Sequence, residues 1–306
     1  RALLCKRSTC VESEGKIGMT ERILNLLQRN TDLSGYRINT VTTRSYELFF
    51  VHKDLETVRS TDTTDRKVTV YVAHDGKLGD STFPVYGSYT DEEIANAIEK
   101  AAENAKVINN PAYQLPAEGE LKAETDSNLA NREPCEIAAE ITDAVFAASC
   151  YEDGSINALE IFLYKDEVSV INSQGTDKTE IRWHAMIEAI PTWNADGESV
   201  EIYENHRFTE FDPVAITEEI DRKMQEVRDR HFAKKPEKAL KCNVVLNAHE
   251  FLDLVYTLCD ELNYAAVYNH TNAFETEAPI QKNPTGDKLT VTLRGKIRGS
   301  VRSALF

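Results

Sequence analysis

The sequence predicts an α+β fold built from two related units of antiparallel strands plus helices, followed by the start of a third, α/β domain. Three observations carry this. Runs of strand pattern are collected together and then followed by a helix, which is the signature of antiparallel sheets with segregated helices. The order strand, strand, strand, helix occurs twice, and "ELFFVHKDLETVR" from Glu47 is matched by "EIFLYKDEVSVI" from Glu160, an offset of 113 residues with one deletion. Such a repeat implies an internal duplication whose copies pack on each other. Finally, "NVVLNAHEFLDLVYTLCDELN" begins a new strand, cap and helix after the second unit has closed.

The elements follow in order. Residues 1–18, "RALLCKRSTCVESEGKIG", hold only a short apolar run and no secretory signal, so they are read as an upstream or expression-derived segment. Met19–Asn30 carries Ile23, Leu24, Leu26 and Leu27, an amphipathic helix. Strands are expected over 46–85, separated by the turn chemistry of "STDTTD" and "DGKLGD". Within them Val68, Val70 and Val72 alternate with Lys67, Thr69 and Tyr71, the period of a half-buried strand. Thr90 and Glu93 are spaced as a capping box for a helix with Ile94, Ile98, Ala101 and Ala105 on one face.

The segment 109–134 has three prolines and no periodicity and reads as a linker. Pro134 then opens a helix with Ile137, Ile141, Ala144 and Ala148 on its apolar stripe. In the second unit Ile181, Trp183, Ala185, Ile187 and Ala189 face one way, and Arg182, His184 and Glu188 the other, where a lone histidine is expected to be solvated. "NSQG", Asn172–Gly175, is a hairpin turn whose glycine supplies a positive φ. Asp212 caps and Pro213 opens the closing helix, with Ile216, Ile220, Met224 and Val227 inward. The expected organisation is therefore a first domain at 19–112, a linker at 113–133, a second domain at 134–238 and the start of a third at 239–306.

Composition narrows the function. A net charge of −16 repels phosphate backbones and anionic membranes, which disfavours direct nucleic-acid binding. No apolar stretch is long enough to span a bilayer. The six cysteines, at 5, 10, 135, 150, 242 and 259, lack metal-ligand spacing and read as reduced thiols in a cytoplasmic protein. No phosphate-binding glycine loop, dinucleotide fingerprint or nucleophile elbow occurs.

His249-Glu250 is the one pair that suggests metal chemistry. A zinc peptidase helix needs a second histidine one turn on, but those positions hold Asp253 and Leu254. Two readings stay open. His249 and Asp253 would form a weak metal pair with Glu250 as general base. Alternatively Asn247 is an N-cap and Glu250, at N3, reaches back to its amide, which leaves His249 exposed. Phe251, Leu254, Val255, Leu258 and Leu262 would then be the buried stripe of that helix.

Three stretches resemble the TldD/PmbA family, named modulators of DNA gyrase. They are "YELFFVHKDLETVRSTDTTDRKVTVYVAHDGKLGDS", similar to the family's opening domain, "VINSQGTDKTE", similar to its second-domain turn and strand, and "VVLNAHEFLDLVYTLCDELNYAAVYNHTNAF", similar to the start of its third domain. The resemblance runs in order over 44–306. The family has TldD-type subunits with an H-E-x-x-x-H zinc helix and PmbA (TldE) subunits without it. "LVYTLCDEL" has no histidine, so the resemblance implies a PmbA/TldE-like, non-catalytic subunit with no catalytic residue and no cofactor of its own. It further implies a dimeric peptidase complex acting on unfolded peptides, either with a TldD-like partner that carries the zinc or as a homodimer. Members of the family continue past "SVRSALF" into a further β region, so the third domain is expected to be shorter here. The alternatives are a stand-alone metallopeptidase using His249, Glu250 and Asp253, or a peptide-binding scaffold.

Overall fold

The computed structural model describes residues 18–301 except 282, 288, 296 and 298. Residues 1–17, nearly all of the segment read as upstream, lie outside them, as do Cys5 and Cys10. The described chain divides into one unit, formed by the residues up to Ala233 together with 299–301, and a second over 234–298.

The first unit opens with α1 (Met19–Arg29), β1 (Gly35–Val51), β2 (Asp54–His74), β3 (Lys77–Pro84) and α2 (Asp91–Ala105). Short strands β4 (Asn110–Pro111) and β5 (Glu120–Glu124) follow, then α3 (Pro134–Ala147), β6 (Gly154–Asn172), β7 (Asp177–Ala195), β8 (Glu198–Glu201), β9 (Glu204–Phe208) and α4 (Pro213–His231). All nine strands share one sheet of order β4-β3-β2-β1-β6-β7-β5, with β8 and β9 also on β7. Among the described residues only the β5–β7 pair is parallel. The fold is α+β.

One face of the sheet carries the helices. On β1, Ile38 joins Val68, Val70, Ile94 and Ile98 in a core under α1 and α2. Leu48, on the same side of β1, joins Ile161, Ile187, Ile141 and Ile220 in a second core under α3 and α4. Each such fully buried side chain contributes about 1.5–3 kcal/mol. Thr90 and Glu93 form the expected capping box, and Asp212 caps α4 ahead of Pro213.

The duplication is visible in the topology, since α1-β1-β2-β3-α2 is answered by α3-β6-β7-β8-β9-α4. The sequence match that suggested it is not the structural register. Residues 47–59 cross the β1–β2 turn at His52-Lys53, whereas 160–171 lie wholly inside β6. The centre of the β1–β6 ladder is instead the pair Arg44 and Lys165. Alternating strands resemble one another at any even shift, so local similarity misplaced the equivalence.

Two further expectations change. Thr69 and Tyr71 are buried along with Val68, Val70 and Val72, because both faces of β2 are covered there. Cys135 is disulfide-bonded, against the reading of every cysteine as a reduced thiol, while Cys150, Cys242 and Cys259 are free.

The second unit holds α5 (Ala248–Glu261) and α6 (Tyr264–Tyr268). The stripe expected to be buried on α5 is open, with Phe251 43% and Leu254 70% exposed. Helical periodicity marks an apolar face but does not supply the surface that covers it.

Candidate functional site

The helix-free face of the sheet is where polar and aromatic side chains converge. Strand alternation places Thr43, Ser45, Glu47 and Phe49 of β1 there, opposite Arg59 and Thr61 of β2 and Glu160, Phe162, Tyr164 and Asp166 of β6. The β6–β7 register then adds Arg182, His184 and Glu188. Phe49 meets Phe162 edge-on at 5.6 Å between ring centroids, Phe162 stacks on Tyr164 at 6.1 Å, and Tyr164 stacks on the His184 ring at 4.9 Å. Arg59 caps the row, its guanidinium 5.0 Å over Phe49.

Two hydrogen-bond networks flank the row. Glu47 is buried and accepts from Ser45 Oγ at 2.6 Å and from the Arg59 guanidinium. Asp166 accepts from Thr43 Oγ1 at 2.6 Å and lies 2.9 Å from His184 Nε2. Desolvation pushes the Asp166 carboxyl up, but the hydrogen bonds from His184 and Thr43 outweigh it and hold it below the usual carboxylate range. His184, expected to be solvated, is therefore paired and stacked; its Asp166 partner is 18 residues away and is brought over by the hairpin. Glu160 is directly opposite Glu188, and burial followed by that like charge raises its pKa.

A strap closes one end of this face. Between β4 on one edge and β5 on the other, residues 112–119 cross the sheet. Tyr113 packs edge-on against Tyr71 at 6.2 Å, and the Pro116 carbonyl accepts from Asn172 Nδ2 and Thr176 Oγ1, each at 2.8 Å. Burial, with a smaller contribution from Tyr113, pushes the Tyr71 hydroxyl up to about 12. The "NSQG" turn does form, with Gly175 at φ +89°, and Asn172 Oδ1 accepts from the amides of Gln174 and Thr176. Its second role, holding the strap, had no signal in the local sequence.

The side of the face is open. β3 pairs with β2 only from Lys67 onward, so among the described residues no strand lies outside β2 between Asp54 and Asp65. That edge presents unpaired backbone donors and acceptors, the usual requirement for strand addition.

The residues singled out in sequence lie elsewhere, in the second unit. Asn247 and Glu250 form a complete capping box, with Glu250 N to Asn247 Oδ1 at 2.9 Å and Asn247 N to Glu250 Oε2 at 3.0 Å. His249 Nδ1 is 3.8 Å from Asp253 Oδ2, and the two side chains are 88% and 76% exposed. Among the described residues one other group has metal-ligand spacing: Glu204 and His206 of β9 with Glu219 of α4, their ligand atoms all within 4.8 Å. Glu204 is ion-paired to Lys223 at 2.9 Å and Glu219 to Arg222, so these carboxylates are already neutralised. Burial lowers the His206 pKa. The E-x-H alternation of β9 was visible in the sequence, but its meeting with α4 was not.

No protein-family model and no curated protein sequence matches the chain. Solved structures do match in fold. TldE from Thermococcus kodakarensis superposes with a TM-score of 0.51 at 18% identity, over 67% of this chain and 47% of that one. A proposed modulator of DNA gyrase from Bacteroides thetaiotaomicron superposes with a TM-score of 0.59 at 11% identity, over 83% and 60%. The chain thus has the fold of these proteins and spans about half to three-fifths of their length.

Proposed function

We propose that this chain is a PmbA/TldE-like subunit of a peptidase complex, without peptidase chemistry of its own, and that it holds an extended peptide by strand addition along the outer edge of β2. The observation that carries this is the open edge from Asp54 to Asp65, flanking the helix-free face. Each backbone hydrogen bond of an added strand contributes about 0.5–1.5 kcal/mol net, largely irrespective of peptide sequence. The shared fold with TldE supports the family assignment. The zinc and the cleaving residues are assigned to a TldD-like partner chain, with a homodimer as the other assembly.

A stand-alone metallopeptidase is less well supported. Glu250 has its carboxylate committed to the α5 cap, and His249 and Asp253 are only two ligands, both largely exposed, where a catalytic zinc takes three from the protein. A cytoplasmic setting rests on cysteine spacing, and the Cys135 disulfide weighs against it. No helix among the described residues is long and apolar enough to cross a membrane.

The test compares an unfolded peptide with the same peptide N-methylated at alternate amides. Methylation is expected to abolish binding, since it removes the donors that pair with β2 while keeping the side chains. Equal binding of the two peptides would sink strand addition. Co-purification with a TldD-like chain tests the assembly separately, and failure to associate at micromolar concentration would reject it.

A further inference from the structure

The helix-bearing face contains a cleft of about 230 Å³ that the peptide-holding role leaves unused. It lies between the start of α3, with the segment just before it, and strands β1, β6 and β7. Leu129, Pro134, Ile137 and Leu163 make its apolar walls. Around them stand Arg44, Arg132, Lys165 and Trp183, and among the described residues no carboxylate lines the space, in a chain whose net charge is −16.

The placement of those cations is the unusual feature. Arg44 and Lys165 are direct cross-strand partners on β1 and β6, an arrangement that is destabilising unless an anion shares it. Arg44 has Asp62 at 3.1 Å, but both side chains are at least half exposed, so the pair contributes little. Lys165 rests over the Trp183 ring at 4.7 Å. Glu124, the nearby acid, is engaged by the Trp183 indole N–H at 2.6 Å, and Arg132 is paired with Glu140 outside the cleft at 2.6 Å.

We propose that this cleft binds a small amphipathic carboxylate, with an apolar body about the size of one leucine side chain against Ile137 and Leu163 and its carboxylate between Arg44 and Lys165. The volume supports that scale, since an apolar cavity of about 150 Å³ already takes benzene. A free organic acid and the C-terminal residue of a peptide share this chemistry.

Trp183 provides the readout. In a Trp193→Phe background its emission reports on the cleft alone, and Trp193 has a buried indole N–H with no hydrogen-bond partner to lose. The probes are N-acetyl-leucine, its uncharged amide, and a hexapeptide ending in leucine with a free carboxylate. The acid is expected to shift Trp183 emission and to bind at least roughly tenfold more tightly than the amide, as loss of one charge-assisted contact implies. Lys165→Met is expected to weaken the acid by a similar factor without lowering the melting temperature, because it also relieves the Arg44 repulsion. Binding of the hexapeptide assigns the site to peptide C-termini, and its exclusion assigns it to free acids. Equal affinity for acid and amide, no response at millimolar acid, or unchanged acid binding in a well-folded Lys165→Met protein would overturn the proposal. None of these outcomes depends on strand addition at β2.

Discussion

Gly79→Ala tests how the strap that bounds the candidate surface is anchored. Gly79 is on β3, and a methyl group built there would lie 1.8 Å from the Ala105 carbonyl oxygen, 2.8 Å from its carbon and 2.8 Å from the Ile108 oxygen. Contacts under 3.0 Å are not tolerated, so the end of α2 would have to retreat by more than about 1 Å. All three atoms are backbone, which rules out relief by a rotamer change. Overpacking of this kind costs about 1–3 kcal/mol, and an all-backbone clash belongs at the upper end, ~3 kcal/mol. For a domain of this size that is a fall in Tm of about 6–12 °C.

The sign makes the test sharp. If the position were open, the same substitution would stabilise by about 0.4–1 kcal/mol through the unfolded chain. Gly87 is such a position, with nothing within 4 Å of its notional methyl, and Gly87→Ala is the control. Thermal and urea unfolding followed by circular dichroism should separate the variants in opposite directions. A Gly79→Ala protein as stable as Gly87→Ala would refute the close approach of α2 to β3, and with it the placement of Asn110 against Leu78 where the strap begins.

Two other perturbations address the face itself. Tyr71, held near 12 by burial, keeps its stability contribution below about pH 10, the unfolded value, and loses it as pH rises toward 12. Tyr113→Ala should expose it, and alkaline difference absorbance should then show one phenol moved down toward 10; an unchanged titration would mean that Tyr113 does not cover it. Arg59→Met strands the buried Glu47 carboxylate with only Ser45 as donor, which should cost about 1–3 kcal/mol in urea unfolding at neutral pH. A double variant with Glu47→Gln should recover part of that loss, and no recovery would show that Arg59 acts through its packing on Phe49 instead.

Much of the secondary structure was determined by sequence alone, because its causes are local. Pro134 and Pro213 begin helices since a first-turn proline forfeits no hydrogen bond, and the boxes at Thr90-Glu93 and Asn247-Glu250 close within four residues. The face of β7 that meets the helices followed from its two-residue period. Only tertiary structure decided the rest. The register between β1 and β6 sets Arg44 against Lys165 and Thr43 against Asp166, partners more than a hundred residues apart, and a repeat read from local similarity placed that equivalence elsewhere. Likewise the apolar stripe of α5 was legible, but a helix can announce a face without containing what would cover it. Strand and helix preferences act over one turn or one pleat, whereas the open edge of β2, the strap over Tyr71 and the cleft at Trp183 arise where distant segments meet, which no local period encodes.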